Sequence, residues 1–384
     1  MTPSAALASS GFLATAVAFG PARMGFGLFL PAFRAEFALS TGLAGLIASG
    51  GFFAFFLALF LAAWLSARVG QRMPVLLGAL AAMAGFLLVA AATSAGLLAA
   101  GIALAGASAG LCWSPFNDAA ERVVAEPARA GALSAVSTGT TLGVAAAGAL
   151  ALGVSLEALG WRAVWLVFAL AALIAALAAA AGLPGGLARG GGAVPRLALF
   201  RRAAGPLYAA ALCFGATNAV YISFAADHVV AAGGLAGLPD SAAAPVIFLG
   251  YGICGILGLA TGRIEARIGL FRLLSAIFLA IAASLALVVL APRAWPAVVV
   301  SAGLQGATVM TVSAVFSFWS LRLFPSRGSL GFTAALVALA AGSVLGPMLA
   351  GALAELWGTR AAFLLAATAP LAAAVFFAGR PAEA

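Results

Sequence analysis

The chain has 384 residues, of which 65% are hydrophobic and 8% charged. A water-soluble domain carries about 45–50% apolar and about 25% charged residues, so one soluble core cannot hide this much apolar surface, and the same composition excludes a disordered chain. The formal net charge is +9 and every basic residue is an Arg, but the arginines stand singly between apolar runs, which fits membrane-surface loops rather than a clustered nucleic-acid face.

A helix that crosses a bilayer needs roughly 20 mostly apolar residues, and only helices or closed barrels satisfy the backbone in lipid. The runs here are rich in Ala and Leu and lack period-2 alternation, which predicts helices. Breaks at Pro, Gly and charged clusters predict twelve spans. Six lie near 11–33, 43–65, 74–93, 96–120, 131–154 and 161–183; six more near 206–230, 244–262, 271–291, 296–322, 330–354 and 360–379.

The first ten residues hold no basic residue and Arg23 interrupts the first apolar run, so a cleaved signal peptide is not expected. Arg23 stands near the middle of span 1, where Gly20, Pro21, Gly25 and Gly27 loosen the helix. A midplane charge is costly and normally faces a cavity or a partner. Its planar fork suits a carboxylate or phosphate. Freed backbone carbonyls are the structural alternative.

Span 4 carries Trp113 and Asn117 at a spacing that shares one face, then Asp118 and Glu121 at its end, near Arg122 and Arg129. These acids are expected to pair with Arg68 or Arg72 of the loop after span 2. Residues 184–205, rich in Gly and Pro with four Arg, read as a flexible cytoplasmic linker lying on anionic headgroups. The linker divides the chain into a bundle over 1–183 and a bundle over 206–384.

Span 7 offers Asn218 and Tyr221 on one face, and Asn218 aligns with Arg23 when Gly215 is set on Gly20. Asp227 and His228, the one His, fall near its outer end, where a proton-coupling role competes with a solvated pair. Span 10 adds Gln305 and Thr308. With Trp113 and Asn117 these residues fit a small polar pocket with aromatic walls; interhelical hydrogen bonding is the plainer alternative for each.

Fourteen arginines fall on the side that holds both termini and only Arg34, Arg162, Arg293 and Arg360 on the other. The bias places both termini in the cytoplasm, as for a multi-pass protein of a bacterial inner membrane.

Two apparent motifs carry no chemistry. Gly106-x-Ser108-x-Gly110 lies mid-helix and lacks a nucleophile elbow. Gly250-x-Gly252-x-x-Gly255 follows no strand. One His and three separated cysteines, Cys112, Cys213 and Cys254, cannot assemble a metal site, and no cofactor is expected.

The halves repeat at a shift near 198 residues. Leu65–Gly70 recurs as Ile264–Gly269, and Pro127–Arg129 as Pro325–Arg327. Gly139, Gly143 and Gly148 return as Gly342, Gly346 and Gly351, and Glu157, Gly160 and Arg162 as Glu355, Gly358 and Arg360. The chain thereby resembles the major facilitator superfamily over essentially its whole length. That family carries G-x-x-x-D-R-x-G-R-R after helix 2; here Ala63-Trp-Leu-Ser-Ala67-Arg68-Val-Gly70-Gln-Arg72 matches at Arg68, Gly70 and Arg72 but has Ala63 in place of the first Gly and Ala67 in place of the Asp. Helix 11, Gly342 to Gly351, resembles the Gly-Pro motif of proton-driven drug antiporters. On helix 5, where that motif belongs, Val144 follows Gly143 in place of Pro.

The resemblance implies an all-α membrane protein of twelve helices in two pseudo-symmetric bundles that rock about a central site lined by helices 1, 4, 7 and 10. It also implies a secondary transporter, not an enzyme, whose partners are a small-molecule substrate, possible coupling protons and membrane lipids. A monomer without nucleic acid is expected. With no acid at the depth of Arg23, a small organic anion is the expected substrate, bound by Arg23, Trp113, Asn117, Asn218, Tyr221 and Gln305. Arg68, Arg72, Asp118, Glu121, Arg129 and Asp227 would then serve gating or coupling. The alternative is a proton-coupled efflux pump for neutral or cationic amphiphiles.

Overall fold

The structure is a computed structural model that describes residues 3–156, 160–186, 202–324 and 328–380. Most of the expected linker (with Arg189, Arg196 and Arg201), Glu157 and the Pro325–Arg327 repeat lie outside the described residues. Every regular element among them is helical. In the first half these are α1 (Pro3–Phe19), α2 (Pro21–Phe37), α3 (Thr41–Val69), α4 (Arg72–Ala90), α5 (Ala95–Val123), α6 (Glu126–Leu156) and α7 (Trp161–Gly182). The second half holds α8 (Gly205–Ala231), α9 (Asp240–Cys254), α10 (Thr261–Ile268), α11 (Leu270–Leu290), α12 (Trp295–Leu323) and α13 (Gly328–Ala378).

Eleven stretches among the described residues are long and apolar enough to cross a membrane. One of them, Gly331–Ala378, has 48 residues, about 72 Å at 1.5 Å per residue against a hydrocarbon core of about 30 Å. Gly358, at φ 82° and ψ 157°, breaks it in a region of backbone space that is essentially glycine's alone. Its two limbs supply the eleventh and twelfth crossings. The first crossing, Ser4–Phe37, is likewise made of two helices, α1 and α2.

Two compact units emerge: Met1–Leu39 with Gly50–Ala193, and Val194–Ala384 with Ser40–Ser49. In the first, fully buried Trp165 of α7 packs among Phe29, Phe33, Phe86 and Phe168. On one rim, Arg162 binds Glu36 at 2.6 and 2.9 Å and the Ala92 carbonyl at 2.7 Å, while the Trp161 indole N–H donates to Glu36 at 2.9 Å. In the second unit Phe271, Phe278, Trp319 and Phe377 form an aromatic core. There the Glu355 carboxylate accepts the Gly42 N–H at 2.8 Å.

The repeated glycines do the same work in both units. A Cβ on Gly139 would sit 2.4 Å from the Phe12 carbonyl oxygen, and one on Gly143 2.2 Å from that of Ala16. In the second unit Gly342 and Gly346 would meet the carbonyl oxygens of Leu212 and Ala216 at 2.1 and 2.3 Å. Span 5 thus lies backbone to backbone on span 1, and span 11 on span 7, as small-residue helix contacts in membranes allow. Gly106 and Gly110 serve similarly, lying against Gly51 and Phe55 of α3.

The loop motif is also explained by backbone. Gly70 and its repeat Gly269 both have φ 83°, but a Cβ on Gly70 would lie 2.0 Å from the Gly186 carbonyl oxygen, whereas Gly269 has open space. Gly269→Ala should therefore cost only conformational strain, about 1–3 kcal/mol. Gly70→Ala should lower the thermal midpoint of the purified protein further, and equal midpoints would contradict this packing.

Candidate functional site

Proline lacks an N–H and pushes the preceding residue out of helical geometry. At Pro21 the result is a break in the first crossing: Gly20 takes φ −74° and ψ −104°. Side-chain-free Gly20 also lies against the Gly143 backbone, where a Cβ would meet the carbonyl carbon and oxygen at 2.6 Å. Arg23 follows in the first turn of α2. It stands 19 residues from one end of Ser4–Phe37 and 14 from the other, hence about 20–30 Å from each at 1.5 Å per residue.

Three phenylalanine rings surround its guanidinium. Cζ lies 5.0 Å from the ring centroid of Phe55, 5.6 Å from Phe52 and 5.7 Å from Phe19. Phe52 and Phe55 are buried and stand about one turn apart on α3; Phe19 ends α1. Each such cation–π contact contributes about 0.5–2 kcal/mol, the upper value when desolvated. Trp113 of α5 meets Phe19 edge-on at 5.4 Å. The structure thus joins Arg23 and Trp113 through a ring, and adds α3 to the helices expected to contribute. The Asn117 side chain lies outside the described residues.

In the second unit, Asn218 and Tyr221 do share a face of α8, and both are buried. Asn218 exchanges hydrogen bonds with the Tyr251 hydroxyl, which donates to its Oδ1 at 3.0 Å and accepts from its Nδ2 at 3.3 Å. The Ser301 hydroxyl lies 3.2 Å from that of Tyr221, and Ser284 and Ser301 each reach the other's carbonyl at 2.8 Å. The rings of Tyr221 and Tyr251 stack 6.4 Å apart. These contacts tie α8, α9, α11 and α12 together. Gln305, one turn beyond Ser301 on α12, is fully buried, and neither of its amide atoms finds a hydrogen-bond partner among the described residues.

The charged residues expected at the gate are placed differently from the expectation. Arg68 and Arg72 form no ion pair with Asp118 or Glu121 among the described residues. Arg68 instead lies over the Trp64 ring at 4.5 Å, one turn back on its own helix. Arg122 donates to the neutral Gln71 carboxamide, and Arg129 to the Glu121 carbonyl at 3.3 Å. Ala67 explains the shift, because the loop has no acid of its own to draw the arginines inward. Asp227 is buried near the C-terminal end of α8, and the adjacent His228 ring stacks on Phe363 at 6.3 Å.

Sequence reasoning missed the ring cage, the Tyr251 and Ser284–Ser301 network, and the Glu36–Arg162 pair. One signal was present: Phe19 precedes Arg23 by four residues, one turn of helix. No group of His, Cys, Asp and Glu able to hold a metal occurs among the described residues.

A sequence model described as the Major Facilitator Superfamily matches residues 11–294. Curated proteins provide no significant sequence match. Among solved structures, a mutant form of the nucleoside transporter NupG superposes with TM-score 0.81 at 13% identity, over 97% of this chain and 99% of that one. A bacterial homologue of the human lysosomal transporter Spinster gives 0.70 at 17% identity, over 98% and 95%. A POT family transporter in complex with 5-aminolevulinic acid gives 0.75 at 13% identity, over 98% and 95%. With the family's sequence pattern over most of its length and the fold of solved transporters, the chain belongs to the Major Facilitator Superfamily and is a multi-pass membrane transporter, not an enzyme.

Proposed function

We propose that the protein is a secondary transporter that moves a small organic carboxylate by alternating access, with Arg23 holding the carboxylate. The observation that carries this reading is the position of Arg23: a permanent positive charge deep within the first crossing, held among apolar rings. A charge at that depth is expensive to keep, and a guanidinium offers a carboxylate two parallel N–H donors. An organic cation would meet the same sign of charge there, which opposes the efflux of cationic amphiphiles. Within the second unit, Asn218 and Tyr221 serve the framework, since their polar groups are engaged with Tyr251 and Ser301, while the Gln305 carboxamide finds no hydrogen-bond partner among the described residues. The arginine bias supports cytoplasmic termini in a bacterial inner membrane.

Ligand binding to the folded state raises its stability, by about 2.7 kcal/mol at a hundredfold excess over Kd. The purified protein should therefore be stabilised by carboxylates and not by matched neutral solutes or organic cations. Stabilisation by cations alone would overturn the reading.

A further inference from the structure

We propose that the corner between α10 and α11 binds the headgroup phosphate of an anionic phospholipid. Arg263 and Arg267 hold the phosphate, and the exposed isoleucines of α10 lie against the acyl chains.

The crossing Asp240–Ile268 has 29 residues, and Gly255–Ala260 within it is 3₁₀ helix. At 1.5 Å per residue in α-helix and about 2.0 Å in 3₁₀-helix, the crossing is about 45 Å long. A hydrocarbon core is about 30 Å thick, and the headgroup regions bring the bilayer to about 40–45 Å. The eight residues of α10, Thr261–Ile268, end this crossing and therefore stand at headgroup depth.

Two faces of α10 meet that boundary differently. Ile264 and Ile268 repeat at one helical turn and are 40% and 37% exposed, as suits the apolar side of a helix at a membrane interface. Arg263 and Arg267 repeat at one turn beside them, and both are exposed. Glu265, the one acid of α10, is engaged by Arg322 of α12. Arg272, just past the Gly269 corner, is a third exposed cation. Among the described residues none of Arg263, Arg267 and Arg272 has an ion-pair or hydrogen-bond partner.

The first half of the repeat is built differently at this place. With Leu65–Gly70 set on Ile264–Gly269, Arg68 corresponds to Arg267 and Trp64 to Arg263. The Arg68 guanidinium lies over the Trp64 ring at 4.5 Å, whereas Arg267 has a second cation where that ring would be. Like charges one turn apart on a helix repel, and an anion held between them removes the repulsion. Guanidinium forks match the oxygens of a phosphate, and each arginine near the surface adds to the attraction for anionic lipid. A zwitterionic lipid carries its own cation and gains less.

A ligand that binds the folded state raises its thermal midpoint. The full-length protein, delipidated in a neutral detergent, is titrated with phosphatidylglycerol, with phosphatidylcholine of the same acyl chains, and with glycerol 3-phosphate. Phosphatidylglycerol should stabilise it most, and glycerol 3-phosphate, which lacks the chains, least. Arg263→Gln and Arg267→Gln should each weaken phosphatidylglycerol binding about fivefold. Neither should lower the lipid-free midpoint, because both side chains are exposed. Arg68→Gln removes the same charge from the matching place in the first half and should leave the affinity nearly unchanged. The lipid site is overturned if phosphatidylglycerol gives no shift, or if the two lipids act alike. Equal stabilisation by glycerol 3-phosphate would assign the arginines to a soluble phosphate instead. An equal loss in Arg68→Gln would reduce the effect to overall charge and overturn the site as well.

Discussion

Arg23→Leu should yield a folded protein that no longer responds to carboxylates. Placing an Arg at the centre of a crossing helix costs about 2.5–3.5 kcal/mol on an insertion scale. The three rings return part of that. Their centroids stand 5.0–5.7 Å away, within the limit of about 6 Å for a cation–π contact. A Leu in the same place removes the cost of the charge and keeps apolar contact with Phe19, Phe52 and Phe55. Ligand affinity should fall at least about thirtyfold, because truncating one partner of a buried charge pair costs about 2–5 kcal/mol. Arg23→Lys should fall between the two, keeping the charge but not the planar fork. Unfolding midpoints with and without benzoate check all three proteins. A less stable Arg23→Leu would assign the residue to the fold.

The second large effect concerns α6, which provides its own control. Gly143→Ala should destabilise by about 1–3 kcal/mol, since overpacking forces backbones apart and its Cβ would stand 2.2 Å from the Ala16 carbonyl oxygen. Ala16 cannot yield as a flexible side chain would. Gly153, ten residues along the same helix, has nothing within 4 Å of its Cβ. Gly153→Ala should stabilise by about 0.5–1 kcal/mol through the lower backbone entropy lost on folding. Gly346→Ala should behave as Gly143→Ala does, because its Cβ meets the Ala216 carbonyl oxygen at 2.3 Å. Thermal midpoints shifting alike at Gly143 and Gly153 would show that the approach of α6 to α1 does not govern stability.

The twelve crossings were legible because each is a local property of some twenty residues, and lipid tolerates few alternatives. The repeat was legible too, and the structure gives it a cause: Gly143 and Gly346 stand at equivalent backbone contacts. Even the last break was readable in outline, though only Gly358 at φ 82° separates spans 11 and 12 in an otherwise continuous helix.

What surrounds Arg23 was not legible. Phe52 and Phe55 lie about thirty residues away along the chain, in a span whose one hydroxyl residue, Ser49, does not point to Arg23. Sequence periodicity marks faces, not the neighbour a face meets. Asn218 shows the same limit: its polarity and position read as a ligand contact, yet Tyr251, 33 residues further along the chain, takes its hydrogen bonds. At the loop after span 2 the missing acid at Ala67 was visible, but not that Gln71 would accept from Arg122.

The most direct test of the central claim is counterflow in proteoliposomes at a pH where the solute stays ionised. Vesicles are loaded with an unlabelled carboxylate and given the same carboxylate labelled outside. Vesicles with wild-type protein should transiently accumulate label above its equilibrium level, and those with Arg23→Leu should not. Equal accumulation by both proteins, or none by the wild type across mono- and dicarboxylates, would contradict an Arg23-dependent carboxylate carrier.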